Sequence, residues 1–304
     1  MHAGLLDQIA TQERAFALLI SQPQGVTFQQ DELAGVPVEW TIRIGGAAPE
    51  APVVMYLHGG GYSSGCAKWA RRAAARLAQG LGCRVVAPDY RLAPRFPFPA
   101  AHDDVLAVYE QLIGAGRVSP ARLVVAGDSA GGSLAVSLAA DARDRGIPMP
   151  AGIITNSLWA DIALNTPSLD DPRRNQNDIR RGLVEALSAT FLSTGGIDPY
   201  DGRHSPVYRD LKGLPPLLVQ AAGRDVCHDD SVRLAANARA AGVKVTITEY
   251  PDVEHIWILN GPCRIEYGAR WPEDGLRFVD RGVEPPEAAT AVKEMCEFIR
   301  SQID

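Results

Sequence analysis

Alternation of polar and apolar residues near the start of the chain gives way, after Pro52, to short continuous apolar runs. Residues 27–32 and 36–44 alternate, which predicts a half-exposed antiparallel hairpin. Continuous apolar runs are typical of parallel strands whose two faces are both covered by helices. Five such runs follow, at 53–57, 84–87, 123–126, 152–155 and 217–221. Residues 244–250 alternate again and predict a last strand at an edge of the sheet.

Helical patterns occupy the intervals between these runs. They lie at about 67–80, 100–114, 129–144 and 229–241, with a final helix near 286–302. Strands that alternate with helices in this way predict an α/β fold built on a mostly parallel sheet. The eight predicted strands and their flanking helices are expected to form one domain over residues 1–304.

Two stretches interrupt the alternation of strands and helices. Residues 160–211 contain many charged and turn residues, no strand pattern, and a predicted helix near 178–193. Because a structureless insertion of this length is uncommon in a compact domain, we predict a helical cap over the strand ends. An amphipathic helix within about residues 1–25 is expected to belong to the same cap. The second stretch, 261–286, is irregular in pattern. Its aromatic residues Tyr267, Trp271 and Phe278 are expected to cover the surface, and a pocket rim is the alternative.

Composition and charge narrow the possible functions. With 46% hydrophobic residues and a net charge of −6, the chain is expected to be globular, without electrostatic affinity for nucleic acid or an anionic membrane. Five scattered cysteines without CxxC spacing argue against a disulfide framework and against a zinc site. Charged residues interrupt the apolar positions of residues 1–20, so we predict no signal peptide, no membrane span and a cytoplasmic location. No metal, nucleotide or flavin signature is present, and no cofactor is expected.

A glycine-rich turn follows the apolar run 123–126 and leads into a helix of small residues. Glycines lie two positions on either side of Ser129, as a sharp strand-to-helix turn requires. Such a turn exposes the serine hydroxyl and leaves the backbone N–H of Ala130 free at the helix N-terminus. Because glycine-rich turns also bind phosphate or simply pack tightly, a nucleophilic role for Ser129 depends on finding its catalytic partners.

A second glycine-rich segment, His58-Gly59-Gly60-Gly61-Tyr62, follows the strand 53–57 directly. Consecutive glycines at the carboxyl end of a strand let backbone N–H groups converge on one point, as a tetrahedral oxyanion requires. Gly60 and Gly61, together with Ala130, are the predicted oxyanion donors, and a flexible glycine turn is the alternative. His58 is expected to hold the loop by hydrogen bonding.

Among the six histidines, His255 is the preferred general base, because a short loop joins it to the last strand. Asp225 is the preferred partner of that base, since it lies closest to the end of the strand 217–221. Asp252 is a weaker rival. Asp229 and Asp230 are expected to cap the helix that follows. The chain order Ser129, Asp225, His255 is the order found in α/β-hydrolases.

Several motifs together give the chain a family resemblance. They are His58-Gly-Gly-Gly-Tyr62, Asp89-Tyr-Arg-Leu-Ala-Pro94, Gly127-Asp-Ser-Ala-Gly-Gly132, Gly223-Arg-Asp225 with Asp229-Asp230, and His255. Over nearly its whole length the chain resembles the hormone-sensitive-lipase-like α/β-hydrolases, many of which are bacterial carboxylesterases. The resemblance implies the α/β-hydrolase fold, with a helical cap over the pocket. The chain departs from the common pattern at Arg95, where an acidic residue is frequent, and in its long segment after His255.

The resemblance implies that Ser129, Asp225 and His255 are a catalytic triad and that Gly60, Gly61 and Ala130 bind the oxyanion. The expected activity is hydrolysis of small, short-acyl or cyclic carboxylic esters through an acyl-enzyme intermediate. A lactone hydrolase of the monoterpene or caprolactone type is the main alternative. An acyltransferase would use the same residues, whereas a non-catalytic small-molecule receptor is disfavoured because His255 is present.

Large apolar residues near the predicted triad are candidates for the substrate pocket. They are Tyr62, Trp159, Phe191, Leu192 and Trp257. Each of these side chains is also a plausible core residue. The only partner expected besides an ester or lactone substrate is a second copy of the chain. It would pair through the edge strand 244–250, since exposed strand edges favour pairing.

Overall fold

An eight-stranded sheet forms the central layer of the fold. The computed structural model describes residues 22–114, 116–174, 181–259 and 285–303, and the backbone of two strands at 263–267 and 276–280. The strands of the large sheet are β1 (Val26–Leu33), β2 (Val36–Arg43), β3 (Val53–Leu57), β4 (Arg84–Pro88), β5 (Leu123–Asp128), β6 (Gly152–Asn156), β7 (Leu217–Arg224) and β8 (Val245–Glu254). All eight predicted strands are therefore present.

The strands follow the spatial order β1-β2-β4-β3-β5-β6-β7-β8. β1 and β2 form the predicted antiparallel hairpin, and β2 pairs antiparallel with β4. Every later pairing in this sheet is parallel. The mostly parallel α/β fold predicted from the apolar runs is thus confirmed. β8 lies at the edge of the sheet, as expected, and its pairing with a second chain stays a prediction.

Helices cover both faces of the sheet. They are α1 (Arg71–Leu81), α2 (Ala100–Gly114), α3 (Ala130–Asp144), α4 (Arg181–Phe191), α5 (His228–Ala240) and α6 (Pro286–Ile303). A short 3-10 helix, Ala67–Ala70, precedes α1, which accounts for the earlier start of the predicted helix. Within the described part of the chain, no helix combines the length and the apolarity needed to cross a bilayer.

The side chains of each strand alternate between two apolar cores. In β3, Met55 and Leu57 belong to the core that contains α2, α3 and α5. Val54 and Tyr56 point to the opposite face and belong to the core of α1 and α6. Because successive strand residues face opposite sides of a sheet, a continuous apolar run supplies both cores at once.

The segment 261–286, which the sequence pattern left irregular, contains two further strands. β9 (Cys263–Tyr267) pairs antiparallel with β10 (Leu276–Asp280) as a separate small sheet. The expectation of an irregular segment is therefore wrong at these positions. The other residues between 260 and 284 lie outside the described residues.

The segment 160–211 contains α4 and two short 3-10 helices, Pro167–Asp170 and Pro206–Tyr208. It contacts the body of the fold through α4, where the Phe98 N–H donates to the Phe191 carbonyl at 2.9 Å. The predicted helix within residues 1–25 falls mostly on residues 1–21, which lie outside the described residues.

The carboxylates of Asp229 and Asp230 do not cap α5 as predicted. The N-cap of α5 is Cys227, and no side chain makes the capping hydrogen bond. Asp230 instead accepts the N–H groups of Ala160 and Asp161 at 2.8 and 3.0 Å, and Asp229 accepts the Ser168 N–H at 2.9 Å. Both carboxylates therefore anchor the start of the segment 160–211 to the first turn of α5.

A buried ion pair links β2 to α1. Glu39 is only 2% exposed, and Arg71 donates to its two carboxylate oxygens from Nε and Nη2, each at 2.7 Å. Gln30 Nε2 also donates to this carboxylate at 2.6 Å. A paired geometry of this kind offsets the cost of removing the carboxylate from water, and loss of the arginine leaves that cost uncompensated.

We expect Arg71→Ala to lower the free energy of unfolding by about 3–5 kcal/mol, because it leaves the Glu39 carboxylate buried without its cationic partner. Arg173→Ala is the matched control, since Arg173 also pairs with a carboxylate, that of Asp171, but its side chain is 87% exposed. Exposed pairs contribute little, so this variant should keep the wild-type stability. Urea unfolding followed by circular dichroism measures both variants, and equal losses would contradict the argument.

Candidate active site

Ser129 lies at the apex of the turn between β5 and α3, in a backbone conformation that residues other than glycine rarely adopt. Its φ is 51° and its ψ is −123°. Its N–H donates to the Asn156 carbonyl at 2.9 Å, and its own carbonyl accepts the Trp159 N–H at 3.1 Å. Hydrogen bonds to the end of β6 and to the residues after it thus hold the strained turn and fix the direction of the hydroxyl.

The glycines around Ser129 are required by close backbone approach. A Cβ at Gly131 would overlap the carbonyl oxygen of Leu57, at the end of β3. A Cβ at Gly127 would overlap the carbonyl of Gly131 itself, across the turn. Because the obstacles are backbone atoms that cannot rotate away, only glycine allows α3 to start this close to the sheet.

The three side chains predicted as a triad lie together, although they come from three separate loops. His255 follows β8, and its Nε2 lies 3.0 Å from Ser129 Oγ. Its Nδ1 lies 2.9 Å from both carboxylate oxygens of Asp225, which follows β7. Asp225 is 1% exposed, whereas Ser129 and His255 are 7% and 8% exposed. Asp252, the rival acid, is exposed and lies 3.4 Å from Arg224.

The imidazole of His255 has its basicity set by two opposing effects. Burial lowers the pKa of His255, but the charge of Asp225, the hydrogen bond to that carboxylate and the charge of Asp128 raise it above its usual 6.5. Asp128, adjacent to Ser129, is itself fully buried, and burial raises its pKa to about 7. Two carboxyl groups therefore stabilise a positive charge on the imidazole, with Asp225 in direct contact.

The loop that carries the predicted oxyanion donors lies beside Ser129. A Cβ built on Gly59 would come within 3.1 Å of Ser129 Cβ, which shows how closely the two loops approach. Gly60 and Gly61 have φ values of 112° and 59°, which favour glycine. The carbonyl of Gly60 accepts the N–H groups of Ser63 and Ser64 at 3.1 and 3.0 Å. Ala130 is the first residue of α3, so its N–H lies at the positive end of the helix dipole.

His58 has the structural position expected of it. Its imidazole is buried, Nδ1 lies 2.7 Å from the Gly59 carbonyl, and the ring stacks on Tyr90 with centroids 4.2 Å apart. The Tyr90 hydroxyl donates to the His58 carbonyl at 2.6 Å. These contacts fix the start of the glycine loop relative to the sheet.

Three of the five predicted pocket residues form one buried aromatic group. Tyr62 stacks on Phe191 at 3.9 Å between centroids and lies 6.0 Å from Trp159. Leu192 is half-buried and packs against the same core. Phe98, which was not predicted, joins this group at 5.7 Å from Phe191. Its only sequence signal is its position between two prolines, which does not reveal what it contacts.

Trp257, also predicted as a pocket residue, lies apart from this group. It is buried in the core of α1 and α6, with its ring 4.9 Å from that of Tyr250. The cause is the backbone of Ile256, whose φ of 50° turns the chain just after His255. The residues on either side of this turn therefore serve different purposes, one at the site and the other in the core.

A residue of α4 that the sequence did not single out lies over the glycine loop. Leu187 of α4 is half-buried, and its Cδ1 lies 2.7 Å from the place where a Cβ on Gly61 would stand. The apolar pattern of the predicted helix 178–193 includes this leucine but does not show which neighbour it faces. Leu187 thus limits the space above the loop that carries the predicted oxyanion donors.

Comparison with known proteins adds independent information. A family model for the alpha/beta hydrolase fold matches residues 54–259. The chain is 37% identical to an acetyl-hydrolase of Streptomyces hygroscopicus, over 69% of this chain and 70% of that protein. It is 35% identical to an esterase of Acinetobacter venetianus, over 76% of this chain and 75% of that protein. A crystal structure of an esterase from the bacterial hormone-sensitive lipase family superposes with a TM-score of 0.84 at 32% identity, covering 98% of this chain and 92% of that one.

Proposed function

Because this chain belongs to the α/β-hydrolase family of bacterial hormone-sensitive-lipase-like esterases, we propose that it hydrolyses carboxylic esters with Ser129, His255 and Asp225 as its catalytic triad. One observation carries the proposal. A single imidazole lies 3.0 Å from the Ser129 hydroxyl through one nitrogen and 2.9 Å from the Asp225 carboxylate through the other. That arrangement positions a nucleophile, a general base and a group that orients the base.

The first half of the reaction forms an acyl-enzyme. Asp225 accepts the Nδ1–H of His255, so the Nε2 lone pair faces the hydroxyl of Ser129. As Ser129 Oγ attacks the ester carbonyl, its proton passes to Nε2, and the imidazolium then protonates the departing alkoxide. The charge of Asp225 stabilises the imidazolium while the tetrahedral intermediate exists.

The negative charge on the carbonyl oxygen needs donors that are already in place. The N–H groups of Gly60, Gly61 and Ala130 are the proposed donors, because both glycines lie in the loop beside Ser129 and Ala130 starts α3. Loss of one such donor typically costs about 2.7–4 kcal/mol of transition-state stabilisation. The rigid hold of His58 and Tyr90 on this loop supports the assignment, because preorganised donors need no rearrangement during the reaction.

The second half of the reaction releases the acid. His255 Nε2 takes a proton from water, which attacks the acyl carbon of the serine ester, and the same donors bind the second oxyanion. The proton on the imidazole then returns to Ser129 as the acyl bond breaks. An alcohol in place of water would complete an acyl transfer with the same residues.

Short-acyl esters are the proposed substrates. In this proposal the segment 160–211 is the cap, and Leu187 is the cap side chain that restricts the space above Gly61. The buried stack of Tyr62 on Phe191 closes the interior beside that loop. The acetyl-hydrolase name of a 37% identical relative agrees with a small acyl group. Lactones remain the alternative substrate class, and comparing an ε-lactone with an open ester of equal carbon number decides between them.

Ser129→Ala should fold normally and lose about 10⁶-fold in kcat on p-nitrophenyl acetate, since no other group replaces the nucleophile. Ser137→Ala is the control, because Ser137 lies two turns further along α3 with its hydroxyl buried and without a hydrogen-bond partner. It should keep wild-type kcat. A sulfonyl fluoride should label the peptide containing residue 129 in the wild type, and labelling at another residue would refute the nucleophile.

The pH dependence follows from the raised pKa of His255. The imidazole must be neutral to accept a proton, so kcat/KM should rise as the pH increases through a pKa above 6.5. Asp225→Asn removes the charge that raises this pKa, so the acid limb should move to lower pH while kcat falls by about 10⁴-fold. Asp252→Asn, which alters an exposed carboxylate, should leave the profile unchanged. A shift in the Asp252 variant alone would show that Asp252, and not Asp225, is the partner of the base.

Leu187→Ala should extend the acyl range, because it removes the side chain that lies over Gly61. We expect the ratio of kcat/KM for p-nitrophenyl octanoate to that for the acetate to rise by about tenfold. Glu185→Ala, an exposed change on the same helix, is the control and should leave the ratio unchanged. An unchanged ratio in the leucine variant would mean that the acyl chain binds elsewhere.

A further inference from the structure

A cysteine thiol lies beside the acid and the base of the proposed triad. Cys227 follows Asp225 by two residues, and its backbone N–H donates to Asp225 Oδ1 at 2.9 Å. One oxygen of Asp225, the sulfur of Cys227 and one ring nitrogen of His255 all lie within 4.8 Å of one another. Thiolate, imidazole and carboxylate together are a donor set that suits zinc and related ions.

We propose that Cys227, His255 and Asp225 form an inhibitory site for a thiophilic divalent cation such as Zn²⁺ or Cd²⁺. The inhibitory consequence rests on the proposed role of His255 as general base, whereas cation binding rests on the three side chains alone. The cation would bind on the Nδ1 side of the imidazole, because Nδ1 is the nitrogen that faces Asp225. Nε2 and Ser129 lie on the other side of the ring.

Coordination at this position prevents His255 from acting as a general base, because it changes the tautomer of the imidazole. A neutral imidazole that binds a metal through Nδ1 must carry its single proton on Nε2. The proton of His255 therefore moves from Nδ1 to Nε2, and the Cys227 thiol releases one proton to solvent as the metal–sulfur bond forms. Nε2 then donates to Ser129 and no longer accepts the hydroxyl proton.

Two carboxyl groups lie beside the thiol. Asp225 and Asp230 are both close enough to Cys227 to act on it electrostatically. Asp161, also near the start of α5, is already paired with Arg233 at 2.7 Å. A cation bound by the sulfur would therefore have the Asp225 carboxylate as a ligand and the Asp230 carboxyl group nearby.

Coordination requires a modest adjustment of the three side chains. The distance of 2.9 Å between His255 Nδ1 and the Asp225 carboxylate has to open to about 3.3 Å, the separation of two nitrogen or oxygen ligands on a tetrahedral zinc ion. The sulfur of Cys227, which lies within 4.8 Å of both, has to come to about 3.6 Å from each.

Inhibition by Cd²⁺ tests the proposal through activity. In wild-type protein, Cd²⁺ should lower kcat for p-nitrophenyl acetate with little change in KM, and excess EDTA should restore it. Cys227→Ser should retain basal activity, and its half-inhibitory Cd²⁺ concentration should rise by about tenfold or more, because a hydroxyl is a poor ligand for this ion. Cys227→Ala serves as a second variant in case the buried hydroxyl disturbs folding. Cys296→Ala, which alters a buried thiol in the core of α1 and α6, should be as sensitive as wild type.

Direct binding separates the cation site from the proposed function. Titration with Cd²⁺ should produce a thiolate-to-cadmium ultraviolet absorption band in wild type and in the inactive Ser129→Ala variant, but not in either Cys227 variant. If the wild type shows the band and no esterase activity, the cation site stands and the proposed function fails. A band that persists in both Cys227 variants, or wild-type activity that saturating Cd²⁺ leaves unchanged, overturns the proposal.

Discussion

The strained backbone of Ser129 is the constraint on which the rest of this structure depends. A non-glycine residue in such a conformation costs about 1–3 kcal/mol and persists only where its surroundings leave no alternative. Here the alternatives are removed by hydrogen bonds to Asn156 and Trp159 and by the contact of Gly131 with the end of β3. Parallel strands on both sides of β5 supply those contacts, so the order of the sheet is also a condition for exposing the hydroxyl.

The same sheet order brings the other two side chains to the serine. β7 and β8 pair in parallel, and their carboxyl ends lie at the same end of the sheet as the carboxyl end of β5. Their register is regular up to Ala222 opposite Tyr250 and then shifts, with Arg224 opposite Glu254. This irregularity lengthens β8 relative to β7 just before His255, so the imidazole can reach past Asp225 to the serine. A bulge beside a site commonly redirects a side chain in this way.

Sequence reasoning recovered the features that local patterns determine and missed those that depend on distant packing. Five strands were predictable because short apolar runs between turn residues are typical of buried parallel strands, and β1, β2 and β8 were predictable because their polar and apolar residues alternate. The proximity of Ser129, Asp225 and His255 follows from their positions after strands of one sheet. The role of Asp230 was not predictable, because an acidic residue in a first helical turn resembles a cap whether or not its oxygen faces inward. The core that Trp257 enters was not predictable for a similar reason, since the positive φ of the residue before it decides which core that is.

The stretch from Asp225 to Asp230, which ends in the first turn of α5, links the candidate site to the segment 160–211. Its first residue contacts the imidazole, and its last accepts two N–H groups from the start of the segment 160–211. Between them, the Val226 carbonyl accepts the Ser168 hydroxyl at 2.6 Å. Burial raises the pKa of Asp230 to about 7, yet the hydrogen bonds that this side chain accepts keep it fixed in place. Because residues 225–230 set both positions, side chains on α4 can vary the space above the glycine loop without moving Asp225 away from His255.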